Sequence, residues 1–208
     1  AIWIKAGTAT LEIKSTTYKG QNAYCANLIT RGSKYTDKYF MMRDTLTSYI
    51  PPNLVPLYYR KGALEGKHYY IDEATYTYPG GKTHVSQHFV KHDGKVKTNE
   101  WDGTDCAFDM LSMMLRARSF DPSAYRDGQH ITFCMADGCK MREATLIFRG
   151  RKNFKMDSTG ITYRCLVFSF IEYNSGKERE IVTFYITDDL NHAPVRLDLF
   201  LRFGTAKA

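Results

Sequence analysis

One helix-like segment stands alone among strand-like segments: Thr104-Asp-Cys-Ala-Phe-Asp-Met-Leu-Ser-Met-Met-Leu-Arg-Ala-Arg118. Its polar side chains recur at the spacing of one narrow stripe on an α-helix, and they are Asp105, Asp109, Ser112 and Arg116. The rest of its surface is apolar, so other elements must cover most sides of this helix. We therefore expect strands to wrap around a buried helix at 104–118.

Strand-like segments fill most of the remaining chain. The patterns predict strands near 9–14, 23–31, 35–50, 57–60, 67–78, 83–91, 95–101, 130–135, 140–149, 161–173, 180–187 and 195–203. The last of them alternates strictly from Val195 to Phe203, with Phe200 as the exception. The segment Cys165 to Ile171 is almost wholly apolar, which predicts a strand buried on both faces.

The connections between these strands are short and rich in turn residues, for example Pro79-Gly-Gly, Asp93-Gly and Asp137-Gly. Such connections cannot hold crossover helices, so neighbouring strands should be antiparallel. A meander of this many strands should curl instead of lying flat. The predicted fold is mainly β: a strongly curved antiparallel sheet, or an open or half β-barrel, with one buried helix at about 104–118.

Length and composition limit the classes of protein that this chain can be. No repeat, low-complexity tract or linker divides its 208 residues, so we predict a single domain over 1–208. The net charge of +7 could attract nucleic acid, but the 29 basic residues are interleaved with 22 acidic ones. A solvated basic surface is therefore expected, with no nucleic-acid partner. No run of residues reaches the length of a transmembrane helix.

The five cysteines are an odd number, so at least one lacks a partner within the chain. Cys134 and Cys139 flank a predicted hairpin turn. A two-residue turn at Asp137-Gly138 would make these cysteines diagonal neighbours and strain a disulfide between them. A four-residue loop would place them directly opposite and allow the bond. The sequence leaves both turns open.

Asp44 lies on an otherwise apolar strand face. The alternating residues of that face are Phe40, Met42, Asp44, Leu46, Ser48 and Ile50. A carboxylate there must be paired, hydrogen-bonded or protonated. One interpretation is an acid that lines a cavity. The favoured alternative is a structural ion pair with an arginine at the end of the helix, such as Arg116 or Arg118.

The methionines of the helix, Met110, Met113 and Met114, also allow two interpretations. Methionine fills irregular gaps in a core, and it also lines apolar sites that accept varied ligands. Core filling is the favoured interpretation.

Signatures of catalysis and of cofactor binding are absent from the sequence, and no cofactor is predicted. There is no nucleophile elbow, P-loop, zinc-protease motif or paired cysteine motif. His84, His88 and His92 share a strand face, but two-residue steps of about 6.6–6.8 Å spread them too widely for one zinc ion. A hydrolase that uses Asp44 or this histidine face is the least favoured function.

Several short motifs occur in a recognisable order. They are Ile4-Lys-Ala-Gly-Thr-Ala9, Met42-Arg-Asp44, Arg60 with Glu65-Gly66, Phe108-Asp-Met-Leu-Ser112, Arg116-Ala-Arg118, Tyr163-Arg-Cys165, Ile186-Thr-Asp-Asp189 and His192-Ala-Pro-Val-Arg196. Their order and spacing over nearly the whole chain resemble the bacterial family called domain of unknown function 3108, in particular its Bacteroidetes branch.

The resemblance implies an exported protein of the cell envelope, in the periplasm or associated with the outer membrane, whose signal peptide is absent from this chain. That setting would permit oxidation of Cys134 and Cys139. The resemblance supplies no activity, cofactor or catalytic residue.

The leading hypothesis is a non-enzymatic module that holds an apolar or lipid-like ligand between the sheet and the helix. Its apolar wall would be Phe108, Met110, Met113 and Met114, with Asp44 as a polar contact. The alternative is an interaction module that binds an envelope protein through strand edges or through the tyrosine pairs Tyr58-Tyr59 and Tyr69-Tyr70. Peripheral association with a membrane is compatible with both.

Overall fold

The computed structural model describes residues 6–157, 159–174, 177–201 and 204–207. Within these residues the protein is mainly β, with fourteen strands and one α-helix. The first seven strands are β1 Gly7–Tyr18, β2 Gln21–Gly32, β3 Met42–Ile50, β4 Tyr58–Glu65, β5 His68–Thr77, β6 Thr83–Val90 and β7 Val96–Gly103. The elements that follow are β8 Ala107–Phe108, α1 Met110–Ala117, β9 His130–Ala136, β10 Met141–Lys155, β11 Thr162–Asn174, β12 Lys177–Thr187, β13 Pro194–Leu201 and β14 Gly204–Lys207.

The strands form two sheets of seven. The first sheet is an antiparallel meander in the order β1 to β7, as the short turns predict. The second sheet follows the order β14 to β8, and its strands β10 to β14 also pair antiparallel. The short strand β8 is different because it pairs parallel with β9, which makes the second sheet mixed. The expectation of a mainly β fold with a helix is confirmed.

Contacts divide the chain into two compact units. The first unit contains the chain up to Arg116 together with Cys134–Arg142, and the second contains Ala117–Phe133 and the chain from Glu143 onward. The core of the second unit includes Phe148 and Phe168, whose ring centroids are 5.2 Å apart. The central residues of its strand β11, 165–169, are buried on both faces, as their apolar sequence predicts. The single domain stays a prediction.

The helix is shorter than predicted. It runs over Met110–Ala117 and not over 104–118, and residues 104–106 before it are exposed. Ala107 and Phe108 pair with β9 instead of continuing the helix, and Asp109 then caps the first turn. The predicted N-terminal boundary of the helix was wrong, because the residues before this cap fit the same polar stripe without being helical.

The faces of the helix also differ from the prediction. Leu111 and Leu115 pack into the core of the first unit, together with Ala26, Leu46, Ile50, Tyr59, Ala74, Tyr76, Val85, Ala107 and Ala136. Asp109 and Ser112, predicted to lie on the polar stripe, are fully buried, whereas Met110 is 44% exposed. The expectation of an apolar surface covered on most sides is therefore wrong at Met110.

Strand β3 begins later than the predicted strand at 35–50. Residues Thr36–Lys38 form a 3₁₀ turn, and Phe40 lies outside the strand on an exposed loop. From Asp44 onward the alternation is as predicted, because Asp44, Leu46, Ser48 and Ile50 are all buried. At the other end of the chain, Phe203 of the predicted last strand lies outside the described residues.

The turn between β9 and β10 resolves the alternatives for Cys139. Asp137 and Lys140 exchange backbone hydrogen bonds, and Gly138 and Cys139 occupy the turn with positive φ angles. Neither predicted turn is formed, because the hairpin is displaced by one residue. Cys139 is buried as a free thiol at the tip of this turn, so it forms no disulfide with Cys134.

Candidate functional site

Strand alternation divides the first sheet into two faces. Leu46, Tyr59 and Val85 pack in the same core cluster as the helix residues Leu111 and Leu115, and we call this side the helix-side face. Register extends the face to neighbouring strands, since directly opposed residues of antiparallel strands share a side. Leu11 lies opposite Leu28, Leu28 opposite Leu46, and Leu46 opposite Lys61. The opposite side of the sheet is called the outer face.

The helix-side face has a covered part and an open part. The residues under the helix are buried, but Leu11 is 38% exposed and Ile13 36% exposed, although both lie on that face. Their neighbour Leu28 is half-buried against the edge of the core cluster. Leu11, Ile13 and Leu28 therefore form a continuous apolar surface in contact with solvent, which we call the open patch.

Four ionisable side chains lie on the same face beside the open patch: Asp44, Lys61, Glu65 and Tyr70. Lys61 Nζ is 3.4 Å from Glu65 Oε1 and stands 5.1 Å from the centre of the Tyr70 ring. The Tyr70 hydroxyl donates a hydrogen bond of 2.6 Å to the same Glu65 oxygen. Asp44 lies opposite Ala63, between Lys61 and Glu65 on β4. We call this group the polar cluster.

Burial and mutual charge perturb the members of the polar cluster. Burial raises the pKa of Asp44, and the nearby Lys61 only partly opposes this. Burial alone would lower the pKa of Lys61, but the Tyr70 hydroxyl and the Glu65 and Asp44 carboxylates together raise it. Burial and the bond to Glu65 raise the pKa of Tyr70 to about 12. Lys61 is therefore held as a cation inside a partly desolvated group of acids.

Two atoms next to the polar cluster have no hydrogen-bond partner among the described residues. They are Asp44 Oδ1 and Thr30 Oγ1, and both are buried. Thr30 lies directly opposite Asp44 on β2, so the two atoms belong to one cross-strand pair. Buried polar atoms nearly always have a partner, because an unmade bond costs about 1–3 kcal/mol. Because this pair also adjoins the open patch, it is a candidate for contact with a bound molecule.

Tyr76 Oη also lacks a partner among the described residues, but it is enclosed in the core cluster beneath the helix. It does not lie beside solvent-exposed apolar surface. We therefore assign it to the core and not to the candidate site.

Asp44 does not form the predicted ion pair with an arginine at the end of the helix, and other charged side chains surround it. The charges that act on Asp44 belong to Lys61, Glu65 and Arg31. Arg31 donates to the backbone oxygen of Asp44 and not to its carboxylate, at 3.1 Å. Arg118 donates instead to the backbone oxygen of Asn191.

The other predicted site residues differ in their surroundings. Phe108 and Met113 are buried, Met114 packs partly against the core cluster, and Met110 faces solvent. The space between the helix and the sheet is filled by Leu111 and Leu115. A ligand contact by any of these predicted residues stays a prediction.

Asp109 is a second buried acid. The sequence pattern predicted it on the polar stripe of the helix, but its role as the cap of that helix was not predicted. Its Oδ1 accepts hydrogen bonds from the backbone nitrogens of Leu111 and Ser112, both at 2.9 Å. Its Oδ2 accepts a bond of 2.9 Å from the Ser48 hydroxyl on β3. Burial raises the pKa of Asp109 to about 6, against the opposing effect of these bonds. The signal in the sequence was Asp109 itself, because aspartate is a preferred residue at the N-cap of a helix.

Two of the three histidines of the predicted histidine face lie next to acidic side chains. His84 Nδ1 is 2.8 Å from Asp102 and His88 Nδ1 is 3.4 Å from Glu73. The hydrogen bond to Asp102 raises the pKa of His84. Within the described residues no group of three potential ligands could hold a metal ion. Nor does any helix there have the length and apolar character needed to cross a membrane.

The paired strands and the one α-helix of the described residues define a mainly β protein. A solved structure with a similar fold is that of a β-barrel-like protein of domain of unknown function DUF1849 from Brucella abortus. It is 13% identical with a TM-score of 0.58, and the match covers 97% of this chain and 84% of that one. At this identity the likeness shows the fold alone.

The family follows from the sequence match. The chain belongs to the family described as Protein of unknown function (DUF3108), whose model matches residues 1–208. A search of curated proteins found no match.

Proposed function

We propose that this protein is a non-enzymatic binding module for an amphipathic ligand, acting in the bacterial cell envelope as the family resemblance implies. The apolar part of the ligand lies on the open patch, and its polar head donates a hydrogen bond to Asp44. The Bacteroidetes branch and the envelope location belong to this proposal.

The observation that carries the proposal is the pair of Asp44 Oδ1 and Thr30 Oγ1 next to the open patch, which have no hydrogen-bond partner among the described residues. Both atoms are closed to solvent in the free chain, so a ligand with a hydroxyl or amino group would supply the missing hydrogen bond after a rotation of the Asp44 side chain toward the open patch. Its apolar part would cover Leu11 and Ile13, which are otherwise left in water. Both requirements are met by one molecule only if that molecule is amphipathic.

The position of the ligand differs from the space between sheet and helix that the sequence suggested. Leu111 and Leu115 fill that space, and insertion of a ligand there would break core contacts. The open patch lies on the same face and needs no displacement of the helix. Asp44 is therefore kept as the polar contact, while the apolar contact is assigned to Leu11, Ile13 and Leu28.

The test of the apolar contact is binding of the fluorescent probe N-phenyl-1-naphthylamine, compared between two matched variants. Leu11 and Ile29 are both 38% exposed and lie on neighbouring strands, but on opposite faces of the first sheet. We expect Leu11→Asp to weaken binding about tenfold or more, because the probe loses apolar contact on the helix-side face. We expect Ile29→Asp on the outer face to leave binding unchanged. Equal behaviour of the two variants, or no binding by the parent chain, would contradict the proposal.

The test of the polar contact uses octyl glucoside, whose sugar hydroxyls are hydrogen-bond donors. We expect octyl glucoside to displace the probe from the parent chain. Displacement from Asp44→Leu should need about tenfold more octyl glucoside, because a hydrogen bond to a charged group contributes about 1.5–3 kcal/mol. The probe itself should still bind to Asp44→Leu, which shows that the fold is intact. Unchanged displacement would rule out Asp44 as the polar contact.

A second candidate function is an interaction surface for an envelope protein, supported by aromatic residues on the outer face. Tyr18 stacks on Tyr49 with ring centroids 4.4 Å apart, and Tyr58 lies 6.1 Å from Tyr18. The predicted pair Tyr58-Tyr59 does not form one surface, because Tyr59 is buried on the helix-side face. Cross-linking of the parent chain and of Tyr18→Ser in envelope extracts tests this candidate: a partner captured by the parent alone supports it.

A further inference from the structure

The loop between β2 and β3, residues 33–41, exposes an unusual number of large apolar side chains. Tyr39 is 78% exposed and Phe40 is 54% exposed, and Tyr35 and Met41 are exposed as well. Single exposed apolar residues are ordinary on a protein surface, but four within seven residues are not. This concentration points to a binding partner.

Internal hydrogen bonds fix the loop in this conformation. The backbone nitrogens of Tyr39 and Phe40 both donate to Thr36 O, at 2.9 and 2.8 Å. Gly66, in the turn between β4 and β5, donates a bond of 2.7 Å to Met41 O. The Phe40 ring lies over Gly66, where a Cβ atom would approach it to 3.3 Å. The aromatic side chains are therefore presented by an ordered loop.

The charged residues in and around the loop are mostly basic. Residues 31–43 contain Arg31, Lys34, Lys38 and Arg43 but only one acid, Asp37. Asp37 is already paired with Arg43 and is held ionised, because the hydrogen bond from Arg43 lowers its pKa. Lys34 and Lys38 are exposed beside the aromatic residues, and Lys67 is exposed in the adjoining turn. The surface that accompanies the aromatic residues is therefore cationic.

We propose that this loop docks the protein onto the surface of an anionic lipid bilayer. Tyrosine and phenylalanine favour the level of the lipid headgroups, where the ring is apolar on one side and wet on the other. Lysines beside them attract the anionic phosphates, each contributing about 1 kcal/mol near such a surface. Aromatic and basic residues together supply the two attractions that interfacial binding requires.

The loop is linked to the site of the proposed function. Met42 and Asp44 follow it directly on β3, and Gly66, which holds Met41, follows Glu65 of the polar cluster. Docking through the loop would therefore bring the polar cluster close to the lipid. The membrane contact depends on the loop and the adjoining turn, and it does not require that the open patch bind a ligand.

The experiment is co-sedimentation of the 208-residue chain with phosphatidylcholine vesicles prepared with and without phosphatidylglycerol. We expect binding to the anionic vesicles and much weaker binding to the neutral ones. The double variant Lys34→Glu with Lys38→Glu should lose about tenfold or more in partition onto the anionic vesicles. Its matched control is Lys82→Glu with Lys155→Glu, which changes the net charge equally at exposed sites far along the chain. The control should keep most of the binding.

The aromatic contribution is tested with Tyr39→Ser, since Tyr39 is the most exposed aromatic side chain of the loop. We expect a severalfold loss of binding, against no loss for Leu190→Ser, an apolar residue that is 100% exposed in the second unit. In a second measurement, brominated lipid should quench the fluorescence of Phe40→Trp more than that of the parent chain, which already contains Trp3 and Trp101. Failure of the parent chain to bind anionic vesicles, or equal losses in loop and control variants, would overturn the inference.

Failure of this inference can be distinguished from failure of the proposed function. Lys34→Glu with Lys38→Glu should still bind N-phenyl-1-naphthylamine in solution, because the open patch is unaltered. Leu11→Asp should still sediment with anionic vesicles, since its loop is intact. Loss of both properties in each variant would show that the two surfaces are not independent and would contradict the membrane contact as assigned.

Discussion

Two buried aspartates of the first unit have opposite surroundings. Asp109 is fully enclosed, and both of its carboxylate oxygens accept hydrogen bonds, from Leu111 and Ser112 and from the Ser48 hydroxyl. Asp44 lies on the same face of the sheet as Ser48, but its Oδ1 atom has no partner among the described residues. Asp109 therefore has a structural role, whereas the missing hydrogen bond of Asp44 is what supports its proposed contact with a ligand.

The comparison also shows why a raised pKa alone does not mark a functional site. Burial raises the pKa of both carboxyl groups, and Asp109 has the value that an acid–base residue often has, about 6. Yet Asp109 is closed off beneath the helix that it caps, whereas Asp44 adjoins the open patch. The position of Asp44 next to the open patch and its unmade hydrogen bond among the described residues separate the two.

The largest expected effect is the loss of stability in Asp109→Ala. This change removes the helix cap and leaves the Ser48 hydroxyl without its partner, so we expect a loss of about 3–4 kcal/mol at about pH 5. Denaturant unfolding measures it. Asp109→Asn retains an oxygen for the cap and should lose roughly 1 kcal/mol. Equal losses in the two variants would show that the cap is not the cause.

The next effect is a pH dependence that comes from Asp109. Its folded pKa of about 6 lies above the ordinary value of 3.8, so between these values the folded chain holds a proton that the unfolded chain has lost. The stabilising contribution is therefore complete below pH 3.8 and is lost as the pH rises through about 6. We expect a difference of about 2–3 kcal/mol between the two ends of this range.

The pH dependence is measured as the unfolding free energy of the parent chain minus that of Asp109→Asn, because other carboxyl groups titrate alike in both. A difference that is flat from pH 4 to 7 would mean that Asp109 keeps an ordinary pKa in the fold.

The smallest effect on stability is expected for Asp44→Leu. Leucine has a similar volume and replaces a desolvated carboxyl group whose Oδ1 atom lacks a hydrogen bond among the described residues. The free energy of unfolding should therefore change by less than about 1 kcal/mol. Thermal and denaturant unfolding check this. A destabilisation as large as that of Asp109→Ala would identify Asp44 as a second structural residue.

The sequence predicted those features that depend on local alternation. The buried series from Asp44 to Ile50 on β3 and the buried apolar centre of β11 follow from a period of two and from apolar content. The antiparallel meander of the first sheet follows from short turns. The missing hydrogen bonds of Asp44 and Thr30 could not be predicted in this way, because they depend on the side-chain packing of two strands and not on alternation within one.

The errors came from places where tertiary contacts override a local pattern. Residues 107–108 fit a helical stripe, but pairing with β9 extends them, and the cap at Asp109 sets the true helix start. Phe40 fits an alternating strand, but the hydrogen bonds of the loop to Thr36 and Gly66 turn the chain away before β3 begins. Lys61 was missed because its surroundings depend on Tyr70, which contacts Lys61 and bonds Glu65 only when β4 and β5 pair.

The most direct test of the account is a carbon-13 NMR titration of Asp44 and Asp109 with and without octyl glucoside. A donor that binds the Asp44 carboxylate favours its charged form, so the account predicts a lower pKa for Asp44 in the presence of the amphiphile. The pKa of Asp109 should stay unchanged, because its partners are all within the protein. No change at Asp44, or equal changes at both residues, would contradict the assignment of Asp44 as the ligand contact.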